Sequence, residues 1–249
     1  MSKYYKANRG PAWNYGGNNW KLSRSKIDLF LACRRCFYLD NKLGVKRVPG
    51  FPFSLNSAVD HLLKQEFDTH RAKGKQHPLQ QEYGLDARPA PHPELDEWRR
   101  NFGGVKFLHE PTGLLVSGAI DDLWINSDDE YLVVDYKATA KDEAVTELKE
   151  DWQDGYKRQM EVYQWLIRQN GLPVSDTGYF VYCTGQLDRQ AFDKKIEFEV
   201  NLIEYVGDDA WVEPTLEKIK GCLESKTIPP ANSDCDHCAY WSARREFEK

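Results

Sequence analysis

The period of the apolar positions changes along the chain, and the changes mark its elements. "SRSKIDLFLACRRCFYLDNKLG" has apolar Ile27, Phe30, Leu31 and Phe37 at helical spacing, Ser25 as an N-cap and Gly44 as a stop. "SLNSAVDHLLKQEFDTHRAKG" predicts a second helix with Val59, Leu62, Leu63 and Phe67 inward. Residues 74–93 read as a loop bearing Pro and His, and "PELDEWRRNF" as a short helix. The period then shortens to two. "GVKFLHE", "LLVSGAIDDLWIN" and "EYLVVDYKA" read as three strands joined by "PTG" and "SDD" turns. "DWQDGYKRQMEVYQWLIRQNG" is an amphipathic helix with a Gly stop, followed by strands "TGYFVYCTG" and "KKIEFEVNL". "DDAWVEPTLEKIKGCLES" is a last helix with Pro214 near its first turn. The tail "KTIPPANSDCDHCAYW" reads as a loop that ends on a cysteine pair. Without a repeat or a clear linker, the pattern predicts one α/β domain over 23–249 behind an irregular arm, 1–22.

Composition adds a location and a charge asymmetry. No apolar run approaches the roughly 20 residues that cross a bilayer, and the N-terminus lacks an apolar signal core. The expectation is a cytoplasmic protein without a membrane partner. Its six cysteines are then metal ligands or plain thiols rather than disulfides. Net charge is −5, yet residues 1–50 carry +9 and the remainder −14. A basic end on an acidic body suits phosphate binding, because affinity follows the local field. A solvated basic arm is the plainer alternative.

The strand "YLVVDYK" is apolar enough to be buried, yet Asp135 and Lys137 alternate onto one face of it. A hairpin symmetric about Asp128 puts Asp121 directly opposite Asp135. Two opposed carboxylates on a half-buried strand pair repel each other, and a hard divalent cation such as Mg²⁺ or Mn²⁺ reverses that term. Lys137 beside them would hold an attacking water and stabilise a charged phosphorane. Acid, acid and lysine around a metal are the parts for phosphodiester hydrolysis.

These residues resemble the PD-(D/E)XK nucleases, specifically their RecB-like branch. "GAIDDLWI…YLVVDYKATA" carries its Gly-x-h-Asp strand (Gly118, Asp121) and Asp-x-Lys strand (Asp135, Lys137). "QMEVY" supplies its Gln-x-x-x-Tyr pair, Gln159 and Tyr163, which share a helix face. The early-helix Gly-x-x-x-His motif is matched by "SAVDH", with Ser57 for Gly and His61 for His; Asp60, next to it, is an equally good hard-metal ligand. The resemblance implies a restriction-endonuclease-like core with a mixed, mainly antiparallel sheet flanked by helices. It implies a metal bound by Asp121, Asp135, His61 or Asp60 and the carbonyl of Tyr136, with Lys137, Gln159 and Tyr163 serving the reaction.

Cys33 and Cys36 in "CRRC", and Cys235 and Cys238 in "CDHC", have the spacing that lets two thiolates face one metal. Cys183 and Cys222 read as packing residues. AddB-type and CRISPR-associated Cas exonucleases hold a 4Fe-4S cluster with one N-terminal and three C-terminal cysteines, near a tail like "IPPANSDCDHCAYW". Here four ligands are redistributed two and two, which suits that cluster or Zn²⁺. The combined expectation is a metal-dependent DNA nuclease, an exonuclease on single strands or ends, clamped by four cysteines. Arg34 and Arg35 would hold phosphates. A helicase or CRISPR adaptation proteins are the partners implied. Two alternatives stay open: an idle, nucleic-acid-binding assembly factor, and a zinc-stabilised RNA-processing enzyme.

Overall fold

The computed structural model describes residues 10–50 and 54–248. In chain order it contains β1 (Leu22–Ser23), α1 (Arg24–Ala32), α2 (Arg34–Asn41), α3 (Ser54–Arg71), α4 (Pro78–Glu82), β2 (Arg88–Pro89) and α5 (Leu95–Trp98). Then come β3 (Val105–His109), β4 (Leu114–Gly118), β5 (Asp122–Ile125), β6 (Tyr131–Ala140), α6 (Asp154–Gln169), β7 (Thr177–Gly185), β8 (Phe198–Val206), α7 (Val212–Glu224) and α8 (Asp236–Phe247). These elements form two compact units, one from residues 54–107 and 118–209, the other from 10–50, 108–117 and 210–248.

The first unit is built on a five-stranded sheet of order β2-β5-β6-β7-β8. β6 and β7 are parallel, and the other neighbours are antiparallel. The parallel pair needs a crossover, which α6 supplies. On one face Leu132, Val134 and Tyr136 pack with Trp124, Tyr179 and Val181 under Phe67 of α3. Phe67 stacks on Trp124 at 5.3 Å and on Tyr136 at 5.8 Å, centroid to centroid. On the other face α6 comes so close that a Cβ on Gly178 would lie 2.5 Å from Met160 Sδ. Helices thus cover both faces of a mixed, mainly antiparallel sheet, as expected. Among the described residues no helix is long and apolar enough to cross a membrane.

The second unit pairs β1 parallel with β4, Leu22 opposite Val116. Of the expected irregular arm, Lys3, Lys6 and Arg9 lie outside the described residues. Within the described part of that arm, Pro11–Trp13 form a 3-10 turn, and Trp20 Nε1 donates to Asn41 Oδ1 at 3.1 Å.

Several local expectations are corrected. The helix drawn through "CRRC" breaks at Cys33, whose φ of −164° and ψ of 108° are extended. "LLVSGAIDDLWIN" is two strands, β4 and β5, in different sheets. The chain turns between them where the Ile120 N–H donates to the Trp98 carbonyl (3.2 Å) and Arg99 Nε donates to the Asp121 carbonyl (3.0 Å). Leu62 faces solvent; Phe67 alone of the four expected inward residues is fully buried. The 74–93 segment is not all loop, because His77 and Gln80 form a reciprocal capping box that starts α4. The last strand begins at Phe198 rather than Lys194, since Asp193 and Lys194 adopt positive φ in a turn. The tail's cysteine pair opens a helix, α8, instead of ending a loop.

Candidate active site

β5 and β6 pair with Asp122 opposite Val134, Leu123 opposite Val133 and Trp124 opposite Leu132. Continued by one residue, this register sets Asp121 beside Asp135. The turn that fixes it runs from Asn126 to Glu130, with the Asn126 N–H donating to the Glu130 carbonyl and Asp129 at φ 59°. Asp121 itself is just past the end of the ladder, so its side chain does what a strand carbonyl would: Oδ2 accepts the Tyr136 N–H at 2.9 Å.

Strand alternation turns Asp135 and Lys137 towards α6. Asp135 is fully buried. Its Oδ1 accepts from Gln159 Nε2 at 2.8 Å, and its Oδ2 is ion-paired with Lys137 Nζ. Gln159 Nε2 also donates to the Tyr163 hydroxyl (3.1 Å), and Gln159 Oε1 accepts from Lys137 Nζ (3.4 Å). The Lys137 ammonium lies 4.5 Å from the Tyr156 ring centroid. A Cβ at position 118 would come within 2.7 Å of Tyr163 Cε1, so Gly118 lets this helix approach the strand end.

α3 brings a residue that the sequence reading passed over. Lys64 Nζ is 2.7 Å from Asp60 Oδ1 and 3.3 Å from Asp121 Oδ1. Asp60 and Lys64 are one turn apart, which puts both on the Asp121 side. His61, the next residue along, is exposed. Burial is the largest influence on Asp121 and pushes its carboxyl up. The Lys64 and Lys137 charges and the Tyr136 N–H outweigh burial and hold it below the ordinary value. Asp60 moves the other way: burial, then the Asp121 charge, raise it despite Lys64. Lys64 is raised: burial would lower it, and its two carboxylates prevail.

A second network lies behind these groups. Asp122, fully buried, accepts from Arg99 Nη2 (2.7 Å), from the Tyr136 hydroxyl (2.7 Å) and from Arg71. Arg99 Nη1 also reaches both oxygens of Asp68 at 2.9 Å, while its Nε holds the Asp121 carbonyl. Tyr136, expected to offer its carbonyl to a metal, donates its N–H to Asp121 and its hydroxyl to Asp122. The adjacent acids "DD" and the pair "RR" in "EWRRNF" were the only sequence signals of this network.

The four cysteines belong to the other unit. Cys33 sits between α1 and α2, and Cys36 is in the first turn of α2; Cys235 caps α8, and Cys238 is in its first turn. Their sulfurs all lie within 4.8 Å of one another. Arg47 Nη2 donates to Cys235 Sγ at 3.2 Å, and Asn232 Nδ2 bridges to the Ala32 carbonyl at 2.9 Å. Burial pushes the Cys33 thiol up, but the Asn232 and Cys36 backbone N–H groups and the neighbouring sulfurs bring it down to about 6. Cys183 is a buried core residue, whereas Cys222 is half-buried and lines a cavity of about 490 Å³ with Arg34, Lys218 and Pro230. Arg35 lies over the Trp241 ring at 5.3 Å.

The sequence model of the PD-(D/E)XK nuclease superfamily matches residues 21–243. The chain belongs to that superfamily. No curated protein matches it. PD-(D/E)XK nucleases are phosphodiesterases that use divalent metals, and membership implies a nucleic-acid substrate. The α/β architecture described above is consistent with the PD-(D/E)XK fold.

Proposed function

We propose that the protein is a metal-dependent DNA nuclease acting on single strands or DNA ends, with Asp121, Asp135 and Lys137 at its hydrolytic centre. The observation that carries this reading is the hairpin register, which brings Asp121 Oδ2 onto the Tyr136 N–H, between Asp135 and Lys137.

The donor set fits a hard divalent cation. Asp60, Asp121 and Asp135 offer carboxylate oxygens, and cationic ammoniums already stand against all three. Asp121, Asp135 and Asp60, rather than exposed His61, would hold Mg²⁺ or Mn²⁺. When bound, the ion would supply a Lewis acid for the phosphate and lower the pKa of its water. Lys137, fixed by Asp135 and Gln159, orients the attacking water and stabilises charge that builds on the phosphate oxygens. Gln159 and Tyr163 orient Asp135 and the substrate strand. The water oxygen bonds to phosphorus as the bond to the departing nucleoside oxygen breaks; the water gives up a proton to solvent and the departing oxygen takes one up from solvent, which leaves a phosphomonoester and a free hydroxyl. Arg34 and Lys218, together at one cavity, suit backbone phosphates. The four cysteines form a structural metal centre. By resemblance, a separate helicase or CRISPR adaptation proteins would deliver the DNA.

One observation favours a second reading, a nucleic-acid-binding assembly factor with an idle core: Lys64 and Lys137 pair with two of the acids that would hold a metal. End-labelled single-stranded DNA incubated with Mn²⁺, beside the Lys137→Ala variant, separates the two. The nuclease reading expects degradation that the substitution lowers by about 100-fold or more. Degradation that survives the substitution means the wrong residues. Binding without cleavage of any DNA form favours the assembly factor, and cleavage of RNA alone moves the substrate to RNA.

A further inference from the structure

The 4Fe-4S cluster implied by the resemblance does not fit these four cysteines. Cys33 Sγ is 3.8 Å from Cys238 Sγ, and Cys36 Sγ is 3.7 Å from Cys235 Sγ and 3.6 Å from Cys238 Sγ. A four-iron cube binds each thiolate to a different iron at its own corner. The irons and sulfides fill the centre and push the four thiolates well apart. Sulfurs that nearly touch leave no room for a cube.

They do fit a single ion. Four thiolates at about 2.3 Å from one tetrahedral zinc stand about 3.8 Å from each other. We infer that Cys33, Cys36, Cys235 and Cys238 hold one zinc ion in a closed, all-sulfur site.

The surroundings agree with that assignment. Cys33, Cys36 and Cys235 are buried, and Leu29 packs against them. Four protein ligands leave no position for water or substrate, which makes the site structural rather than catalytic. A zinc tetrathiolate carries a net charge of −2, and burying it needs compensation. Two helix N-termini supply partial positive charge, because each CxxC pair begins a helix, α2 or α8. Arg47 supplies a full one, 3.2 Å from Cys235 Sγ. The extended conformation at Cys33 also has a purpose: by ending α1 it lets Cys33 and Cys36 share the first turn of a new helix.

The inference does not depend on the nuclease reading, since the cysteines and the acids are separate sets of residues. The whole chain is expressed with both iron and zinc supplied, purified without oxygen, and analysed for metals and acid-labile sulfide. One zinc per chain, no sulfide and no visible iron–sulfur absorption is the expected result. Exchange with Co²⁺ should then yield the visible bands of a tetrahedral cobalt thiolate, without recourse to any variant. Four irons and four sulfides per chain would overturn the assignment. So would a metal-free protein whose thermal midpoint does not respond to added zinc, or cobalt spectra of an octahedral ion.

Discussion

Lys64 and Asp121, 57 positions apart in sequence, form an ion pair of 3.3 Å, and the same ammonium reaches Asp60 at 2.7 Å. A side chain thus occupies the electrostatic role between two carboxylates that a divalent ion would take over. Lys64→Met should therefore leave the acids repelling each other in metal-free protein. The expected outcome is a lower thermal midpoint without metal and a larger rise on adding Mn²⁺ than the parent shows, read by thermal denaturation with and without the ion. Equal rises in both proteins would remove Lys64 from competition with the metal.

Neutralising the two acids should have opposite effects on metal-free stability at pH 7. Asp121 has a depressed carboxyl, so its ionised form stabilises the fold; that contribution is present above the ordinary carboxylate value and lost as pH falls through the depressed one. Asp60 is raised, so its ionised form opposes folding at neutral pH. Asp121→Asn should lower the urea midpoint and Asp60→Asn should raise it, and both should weaken Mn²⁺ binding in calorimetry.

Gly118 is a packing requirement before it is a motif residue. Gly118→Ala places a methyl 2.7 Å from Tyr163 Cε1 and 3.0 Å from Leu166 Cδ1. Overpacking of this kind costs about 1–3 kcal/mol, measurable by urea unfolding. Because Tyr163 holds Gln159, which holds Asp135, cleavage should fall by more than the loss of folded protein explains.

Arg99 acts on the site through Asp121's backbone. Its guanidinium spans Asp68, Asp122 and the Asp121 carbonyl. Arg99→Lys keeps the charge and loses the fork, and leaves Asp122 short of a partner at a cost of about 2 kcal/mol. A positioning role predicts a lower kcat at near-constant KM, which a general loss of folded protein would not produce.

Arg47→Met removes a cation that donates to Cys235 Sγ. The metal should still load at one per chain but escape to a chelator faster, with a fivefold or greater increase in release rate followed by a chromogenic zinc indicator. Unchanged release would assign compensation to the helix N-termini alone.

The acid hairpin was readable because its information is local. Alternation fixes which face Asp135 and Lys137 share, and the tight turn from Asn126 to Glu130 fixes what they face. The same holds for Gln159 and Tyr163, one helical turn apart. What could not be read depended on partners distant in sequence. Nothing around Ile120 announces that Trp98 will take its N–H, so β4 and β5 looked continuous. Cys33 breaks a helix that local propensity would have carried through, and Leu62 fits the apolar stripe of α3 although it faces solvent. Lys64 was within reach of inspection: it follows Asp60 by four residues, the spacing of an ion pair on one helix face.

The order of segments in the two units has a consequence for synthesis. Every residue of the unit that bears Asp121, Asp135 and Lys137 has been translated once Asp209 emerges. Cys33 and Cys36 are made earlier still, yet their partners Cys235 and Cys238 follow about 200 residues later. A nascent chain can therefore finish its acidic pocket while two of its thiols still wait, solvent-exposed and oxidisable, for the ribosome to deliver the other half of their site.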